Sequence, residues 1–372
     1  MKAGWVSATL GNSCTMYQPK TITSNDLIAE GPYPVFGANG VIGRFNQYNH
    51  EFPQLMITCR GATCGTVNTS EPFSWITGNA MVVAPNSANI SLEFMEYVLR
   101  GGIDIRKAIT GAAQPQITRA NLEPITFSYP TDLNEQRRIV DVLSRAEGIV
   151  RLHQDAERKT TELIPALFVD MFGDPASNPK GWGFKALGTV CLGGAVYGAN
   201  GKAQPYITGS PRYVRITDIL DSGDLNPLGV VSIEAGDWSK YKLADGDLLF
   251  ARTGNTVGKC LLFRESYGEC VYAGYLIKLR CNPLFVIPDY IHSLTKTHYY
   301  RKWINSNKRV AGQPNINGKE YSALPVPIPP LALQNDFTGQ VDKIRSIQKL
   351  QAEATAKAQA TFNSLLSQVF SS

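Results

Sequence analysis

The 372-residue chain is 43% hydrophobic and 18% charged, enough to bury a real core, and its length favours two domains over one. A net charge of +5 leans only mildly toward polyanions, a balance shared by many proteins without a nucleic-acid partner. No apolar run approaches the roughly 20 residues of a bilayer crossing and no charged flank opens an apolar stretch, so membrane insertion and secretion are not expected and a cytoplasmic location is.

Seven cysteines (Cys14, Cys59, Cys64, Cys191, Cys260, Cys270, Cys281) are odd in number and scattered, with no Cys-x-x-Cys pair. They are expected to be reduced, mostly buried thiols. Of the four histidines (His50, His153, His292, His298), none sits four residues from another beside a carboxylate. No metal site is expected.

In chain order, residues 1–130 read as short strands between Gly, Asn, Pro and Asp turns, for example at 55–59 and 80–84, with a helix of two or three turns near 91–100. Residues 131–173 change period. Apolar side chains recur three or four apart at Leu133, Ile139, Val140, Leu143, Ala146, Val150, Leu163, Leu167, Phe168, Met171 and Phe172, the stripe of one long helix. Pro165 should kink it or mark its last turns. The breakers of 173–181 form a linker. Residues 174–328 return to strands, at 213–216, 247–251 and 275–279, with a helix near 288–303. Residues 329–372 carry a second stripe: Leu333, Phe337, Val341, Ile344, Ile347, Ala354, Ala358, Phe362, Leu365, Leu366 and Val369.

About 40 helical residues make a rod of roughly 60 Å, too long to hide its stripe in a small domain. The simplest partner is the other rod, packed antiparallel. The predicted class is therefore α+β, with two globular domains joined by two long antiparallel coiled-coil-like helices in a pseudo-twofold internal repeat. The residues expected to pack the helices or dock a partner are Gln136, Ile139, Leu143, Val150, Leu167, Gln334, Phe337, Val341, Ile344 and Leu365.

The repeat is visible in the sequence. Gly111-Ala112-Ala113-Gln114-Pro115-Gln116-Ile117 returns as Gly312-Gln313-Pro314-Asn315-Ile316, each before a proline-ended strand and then a helix. Asn134-Glu135-Gln136-Arg137-Arg138-Ile139 returns as Ala332-Leu333-Gln334-Asn335-Asp336-Phe337, and the 166–172 segment as 364–370. More faintly, 57–65 resembles 249–258, which sets Arg60 opposite Arg252, and 92–99 resembles 288–294. The helices are more alike than the globular parts. One scaffold presenting two specificities would look like this.

On these residues, together with Gly31-Pro32-Tyr33-Pro34-Val35-Phe36-Gly37-Ala38-Asn39-Gly40, Tyr213-Val214-Arg215-Ile216-Thr217-Asp218-Ile219, Gly246-Asp247-Leu248-Leu249 and the proline-then-Glu-Gln lead into the first helix, the chain resembles the specificity subunits of Type I restriction-modification systems along essentially its whole length. The second helix departs from the pattern, with Leu333-Gln334 where the first has Glu135-Gln136. The resemblance implies a non-catalytic subunit with two target-recognition domains for two halves of a split double-stranded DNA site. Two modification subunits, carrying S-adenosylmethionine and methylating adenine, would dock on the helices. Restriction subunits that consume ATP with magnesium are a further partner it admits. No cofactor is expected on this chain. Two alternatives stay open: a related system whose modification and cleavage functions share one partner chain, and a helical adaptor whose domains bind protein.

Catalytic motifs are absent. Gly37, Gly40 and Gly43 have the wrong spacing for a dinucleotide loop, and Gly254 to Cys260 is one residue short of a phosphate loop and lacks its Ser or Thr. Glu157-Arg158-Lys159 has no placed Pro-Asp for a nuclease, and Asp174-Pro175, Asn178-Pro179, Asn226-Pro227 and Asn282-Pro283 all fail as methyltransferase motifs. Base edges favour Arg, Lys, Asn and Gln, and phosphates favour Lys, Arg, Ser and Thr. The DNA-contact candidates on loops are therefore Asn39, Arg44, Arg60 and Thr63 in the first domain and Arg215, Arg252, Thr253, Asn255 and Lys259 in the second. Equally open is that the arginines tie down glycine-rich turns. Arg106-Lys107 and Lys308-Arg309 suit phosphate or plain solvent, and Gln114 and Gln313 suit a structural role.

Overall fold

The structure is a computed structural model that describes residues 2, 4–37, 39–111, 114–309 and 313–371. Ala38, Ala112, Ala113 and Gly312 of the quoted motifs lie outside the described residues. The chain divides into two compact units, Met1–Asp155 with Ala352–Ser372, and Ala156–Gln351.

The first unit contains β1 (Trp5–Thr9), β2 (Cys14–Tyr17), β3 (Tyr33–Gly37), β4 (Gly40–Phe45), β5 (Leu55–Thr58), β6 (Val67–Thr69), β7 (Trp75–Ile76), β8 (Ala80–Pro85) and β9 (Thr126–Pro130). Its short helices are α1 (Leu10–Ser13), α2 (Leu92–Tyr97) and α3 (Arg119–Leu122), and α4 (Leu133–Thr161) begins in it. The strands form the pair β1-β9, the sheet β2-β8-β5-β6 and the sheet β4-β3-β7, in which β3 and β7 run parallel. β5 and β8 are buried on both faces because their residues alternate between two cores. Leu55, Ile57, Met81 and Val83 join Phe94, Leu143 and Phe362, while Met56, Ala80 and Val82 pack with Phe36 and Ile76.

The second unit holds β10 (Phe184–Ala186), β11 (Cys191–Tyr197), β12 (Ala203–Pro205), β13 (Arg212–Val214), β14 (Val231–Ile233), β15 (Asp247–Ala251), β16 (Cys260–Leu262), β17 (Cys270–Tyr272), β18 (Leu276–Cys281) and β19 (Pro325–Pro327). Its helices are α5 (Leu163–Phe172), α6 (Pro288–Leu294), α7 (His298–Asn307) and α8 (Gly318–Ser322), with the first half of α9 (Leu331–Phe370). The sheets are β10-β19, β11-β18-β15-β16 and β12-β14-β13-β17, with β13 and β17 parallel. The skeleton of the first unit recurs strand for strand, and β12 is the addition.

The expected single helix over 133–172 is two. Glu162 interrupts it, bonding back to the Lys159 carbonyl at 3.2 Å, and α5 restarts two residues before Pro165. The proline has no N–H to give and its ring crowds the preceding turn, so the break falls just upstream of it. α9 has no proline and runs unbroken for 40 residues. Within the second unit, Gln340 reaches the Met171 sulfur at 3.7 Å and Gln348 the Thr160 carbonyl at 2.8 Å. Rising numbers on α9 meet falling numbers from α5 back to the end of α4, so α9 runs antiparallel to them there.

Of the stripe, Ile139, Leu143, Val150, Phe337 and Val341 are buried, and Leu167 and Leu365 are half-buried against the cores. Ile344 is half-buried. Leu133, Leu163 and Ile347 depart from the expectation, being 40%, 43% and 52% exposed.

Candidate functional site

The candidate contact residues cluster on the turns that follow β5 and β15. In the first unit the Gly61 N–H donates to the Pro115 carbonyl (3.1 Å), Ile117 to Cys59 (2.9 Å) and Gly65 to Thr58 (2.9 Å). In the second, Gly254 donates to Pro314 (2.9 Å), Ile316 to Arg252 (3.0 Å) and Gly258 to Ala251 (3.2 Å). Each unit thus clamps this turn onto the strand-like segment before α3 or α8 with the same two bonds, and closes the turn on itself with the same third. The glycines Gly61, Gly65, Gly254 and Gly258 all have φ between 67° and 93°, which a side chain would resist.

This hydrogen-bond register corrects the expected pairing of the arginines. Arg60 stands where the second unit has Thr253, and Arg252 stands where the first has Cys59. Successive residues of an extended segment point to opposite sides, so the two guanidiniums leave the turn differently. Arg60 is exposed and makes no side-chain hydrogen bond or ion pair among the described residues. The Arg252 guanidinium lies 5.0 Å from the centre of the Tyr197 ring, with its Nε buried and unpartnered among the described residues.

Three other candidates are bonded within the fold and a fourth is buried. Arg44 donates to the carbonyls of Gly31 and Pro32. Arg215 pairs with the buried Asp218 carboxylate at 2.8 Å and reaches the Gly229 carbonyl. Lys259 bridges Asp221 (2.8 Å) and the Ile219 carbonyl (3.1 Å), and its ammonium holds the Asp221 carboxyl below the usual carboxylate range. Thr253 is 6% exposed. A guanidinium or ammonium already engaged by backbone and carboxylate has fewer donors left for a ligand, which applies to Arg44, Arg215 and Lys259. Asn39, Thr63 and Asn255 remain exposed, with no side-chain bond among the described residues. Asn39 sits on the β3–β4 turn.

A concavity of about 290 Å³ lies between the end of β2, the turn after β5 and the start of α3. In the second unit one of about 510 Å³ lies between β11 and α8, lined by no residue of the turn after β15.

The glutamines at the start of each long helix act within the fold. Gln136 and Gln334 are both fully buried. The Gln136 carbonyl oxygen accepts from the Ser91 N–H (2.9 Å), and its amide donates to the carbonyls of Asn89 (2.6 Å) and Pro130 (2.9 Å). Gln334 accepts from Ile287 (2.9 Å) and donates to Phe285 (3.0 Å) and Pro329 (2.9 Å). Each glutamine fastens a long helix to its own globular part, which removes both from any partner-docking role.

Sequence reasoning missed a matched exposed pair on the helices. Ile149 and Leu152 on α4 are 52% and 72% exposed, and Ile347 and Leu350 on α9 are 52% and 65% exposed. Each pair stands at the same distance from its buried glutamine, a signal present in the sequence once the repeat is aligned on Gln136 and Gln334.

Among the described residues no three His, Cys, Asp or Glu side chains gather as a metal site, and no helix is long and apolar enough to cross a membrane.

Residues 2–162 match the family model described as "Type I restriction modification DNA specificity domain". The chain is 28% identical over 156 residues to the Type I restriction enzyme EcoKI specificity subunit of Escherichia coli (strain K12), covering 40% of this chain and 33% of that protein. It is 23% identical over 172 residues to the EcoprrI specificity subunit of Escherichia coli, covering 43% of this chain and 42% of that one. The match thus spans a third to two fifths of the relatives' length. The S subunit of the Type I restriction-modification system of M. genitalium shares the fold over 99% of this chain and 96% of its own, with a TM-score of 0.60 at 14% identity.

Proposed function

We propose that the chain, whose residues 2–162 match the Type I DNA specificity domain, is the non-catalytic reader of an asymmetric, two-part DNA site in a methylating complex that restriction subunits can join. The observation that carries this is the recurrence of one strand skeleton and one helix-pinning glutamine in two units whose surface loops differ. A duplicated scaffold with divergent faces suits two different half-sites. The 1–130 and 174–328 parts are then the two target-recognition domains, and the 131–173 and 329–372 helices, in pseudo-twofold relation, set the spacing. Half-sites read from one face of the duplex fall about one helical turn apart.

The exposed pairs Ile149/Leu152 and Ile347/Leu350 give each helix the same apolar patch, which suits two copies of one partner. We assign these patches to two modification subunits, the carriers of S-adenosylmethionine; ATP and magnesium belong to restriction subunits where those join. A complex that works on DNA of the host belongs in the cytoplasm.

Replacing residues 1–130 with the corresponding domain of another family member tests the reading. Sequencing of adenine methylation in the host should find one half of the target changed and the other kept. Alteration of both halves, or of neither, would defeat modular reading.

A further inference from the structure

At the start of β11 the fold sets two thiols face to face. Cys191 lies opposite Cys281 of β18, and both are free. The Asn282 N–H donates to the Val190 carbonyl at 2.9 Å. In an antiparallel ladder that bond flanks the pair 191/281 instead of joining it. This is therefore a non-hydrogen-bonded pair, the kind whose Cα atoms stand about 4.5 Å apart and whose side chains lie closest. That separation falls within the roughly 4.4–6.8 Å that a disulfide spans. The Cys281 thiol is in hydrogen-bond contact with Cys191, and this contact together with burial pushes it well above the ordinary 9.0. Both side chains turn into the core, Cys281 6% exposed and Cys191 half-buried. Cys260 is on β16, two strands away from β18, roughly 9.5 Å across the sheet and out of reach of a disulfide.

The first unit supplies the contrast. Its matching pair is Cys14 on β2 and Pro85 on β8, flanked by the same bond, from the Asn86 N–H to the Ser13 carbonyl at 2.9 Å. One thiol is kept and a proline stands across from it, so this rung can be cross-linked only in the second unit. There it would matter, because β11 is an edge strand. Its start is held by two rungs, Cys191 with Cys281 and Leu192 with Arg280, before the register slips over Gly193 and Gly194, whose φ values are 69° and 73°. We infer that Cys191 and Cys281 form a reversible oxidation site, a dithiol that hydrogen peroxide closes to a disulfide and a small thiol reopens, fastening the edge strand of the second unit. The half-buried Cys191 sulfur attacks the peroxide, breaking its O–O bond to give a sulfenic acid and water. The Cys281 sulfur then displaces hydroxide from that sulfenic sulfur, and its own proton leaves with the hydroxide as a second water. The two thiols lose two electrons in all, and one peroxide is reduced to two waters. The reaction needs neither DNA nor a partner chain.

The test oxidises the full, reduced chain with a small excess of hydrogen peroxide, caps the remaining thiols with iodoacetamide in denaturant and maps the peptides. A peptide pair joined through Cys191 and Cys281 should appear and should vanish on treatment with dithiothreitol. The oxidised chain should unfold at a thermal midpoint several degrees above that of the reduced one. Cys191→Ser and Cys281→Ser should each lose both the joined pair and the gain in midpoint, whereas Cys14→Ser should keep them. In Cys281→Ser the sulfenic acid on Cys191 meets no thiol and should be trapped by dimedone. Should a serine variant fail to fold, the wild-type map alone decides. Recovery of both Cys191 and Cys281 as capped thiols would overturn the site, as would a link from either one to a different cysteine. A joined pair without a higher midpoint would overturn its action as a fastener.

Discussion

The two units share a skeleton but fasten it with opposite charges. In the first, Arg100, in the helical turn that follows α2, reaches Glu147 on α4 (2.5 and 3.2 Å), which also accepts from the Tyr97 hydroxyl at 3.1 Å. In the second, the acid is on the globular side: Asp289 of α6 accepts from Arg345 on α9 at 2.7 Å and also contacts Arg264. Against this reversal, the glutamine pins are identical in both units to within a few tenths of an ångström. Backbone geometry, which a carboxamide reads from both sides at once, admits one solution here, whereas an ion pair of either polarity satisfies the same gap.

The pins carry the largest expected effect. Gln136→Ala would leave the Ser91 N–H and the Asn89 and Pro130 carbonyls without their partner in a buried site, at about 1–3 kcal/mol for each orphaned group. Gln334→Ala should cost a similar amount, so several kcal/mol in either unit. Denaturant unfolding with hydrogen exchange at 89–92 and 285–288 would measure it. A Gln334→Ala variant much milder than Gln136→Ala would break the equivalence of the two pins.

The ion pairs should differ in worth. Asp289 is buried, with its side chain 5% exposed, whereas the Glu147 side chain is 24% exposed. Burial alone would raise the Glu147 carboxyl, but the Arg100 guanidinium and the Tyr97 hydroxyl more than offset this and hold it below the ordinary value. Arg345→Ala should cost about 2–3 kcal/mol, less than a fully stripped buried charge because Arg264 remains. Glu147→Ala should cost about 1 kcal/mol or less. Equal costs would mean that the reversed polarity has no energetic consequence.

The scaffold was far more legible in the sequence than the site. Helix periodicity over 329–372 pointed to α9, which runs from Leu331 to Phe370, and β15 was visible as a strand over 247–251. The prolines ahead of the long helices and Gln136/Gln334 marked where those helices begin because the backbone there demands those residue types. Arginines gave no such indication. A guanidinium that caps a turn, as Arg215 does on Asp218, and one left free, as Arg60 is, look alike in a string of letters. What separates them is a partner brought in by the fold. The mispairing of Arg60 with Arg252 has the same origin: identity of letter outweighed a one-residue shift that only the hydrogen-bond register fixes.

Acid should separate the units further. His292 on α6 is 6% exposed, its Nε2 unpartnered among the described residues and facing Gly223. Burial pushes its pKa well below the ordinary 6.5, with Lys296, Arg345 and Arg264 adding to the shift. The folded state therefore keeps it neutral while the unfolded chain binds a proton below 6.5. Its contribution is fully present above pH 6.5 and is lost as pH falls from there toward the depressed folded value, at up to about 1.4 kcal/mol per pH unit. The first unit has Glu96 at this position of its own helix, ion-paired with Arg100. His292→Gln should flatten the loss of stability of the second unit between pH 6.5 and 5, followed by hydrogen exchange at 288–297. An unaltered slope would assign the acid sensitivity to carboxylates instead.

The smallest effect concerns where the first unit receives the end of α9. Lys2 donates to the carbonyls of Gln368 (2.7 Å) and Val369 (2.6 Å), in the last turn where helical carbonyls have no N–H of their own. Beside them, Leu366 and Phe370 rest on Gly101 and Gly102, where a Cβ would collide with Leu366 and come within 2.9 Å of Phe370. The glycines make the seat and the lysine neutralises the negative helix end. Because Lys2 is exposed, Lys2→Ala should cost only about 0.5 kcal/mol, seen as faster exchange at 366–371 with the rest of the unit unchanged. Gly101→Ala, by contrast, must displace Leu366, so exchange should quicken through 362–371. If Lys2→Ala produced the larger change, the seat would owe more to charge than to the close approach the glycines allow.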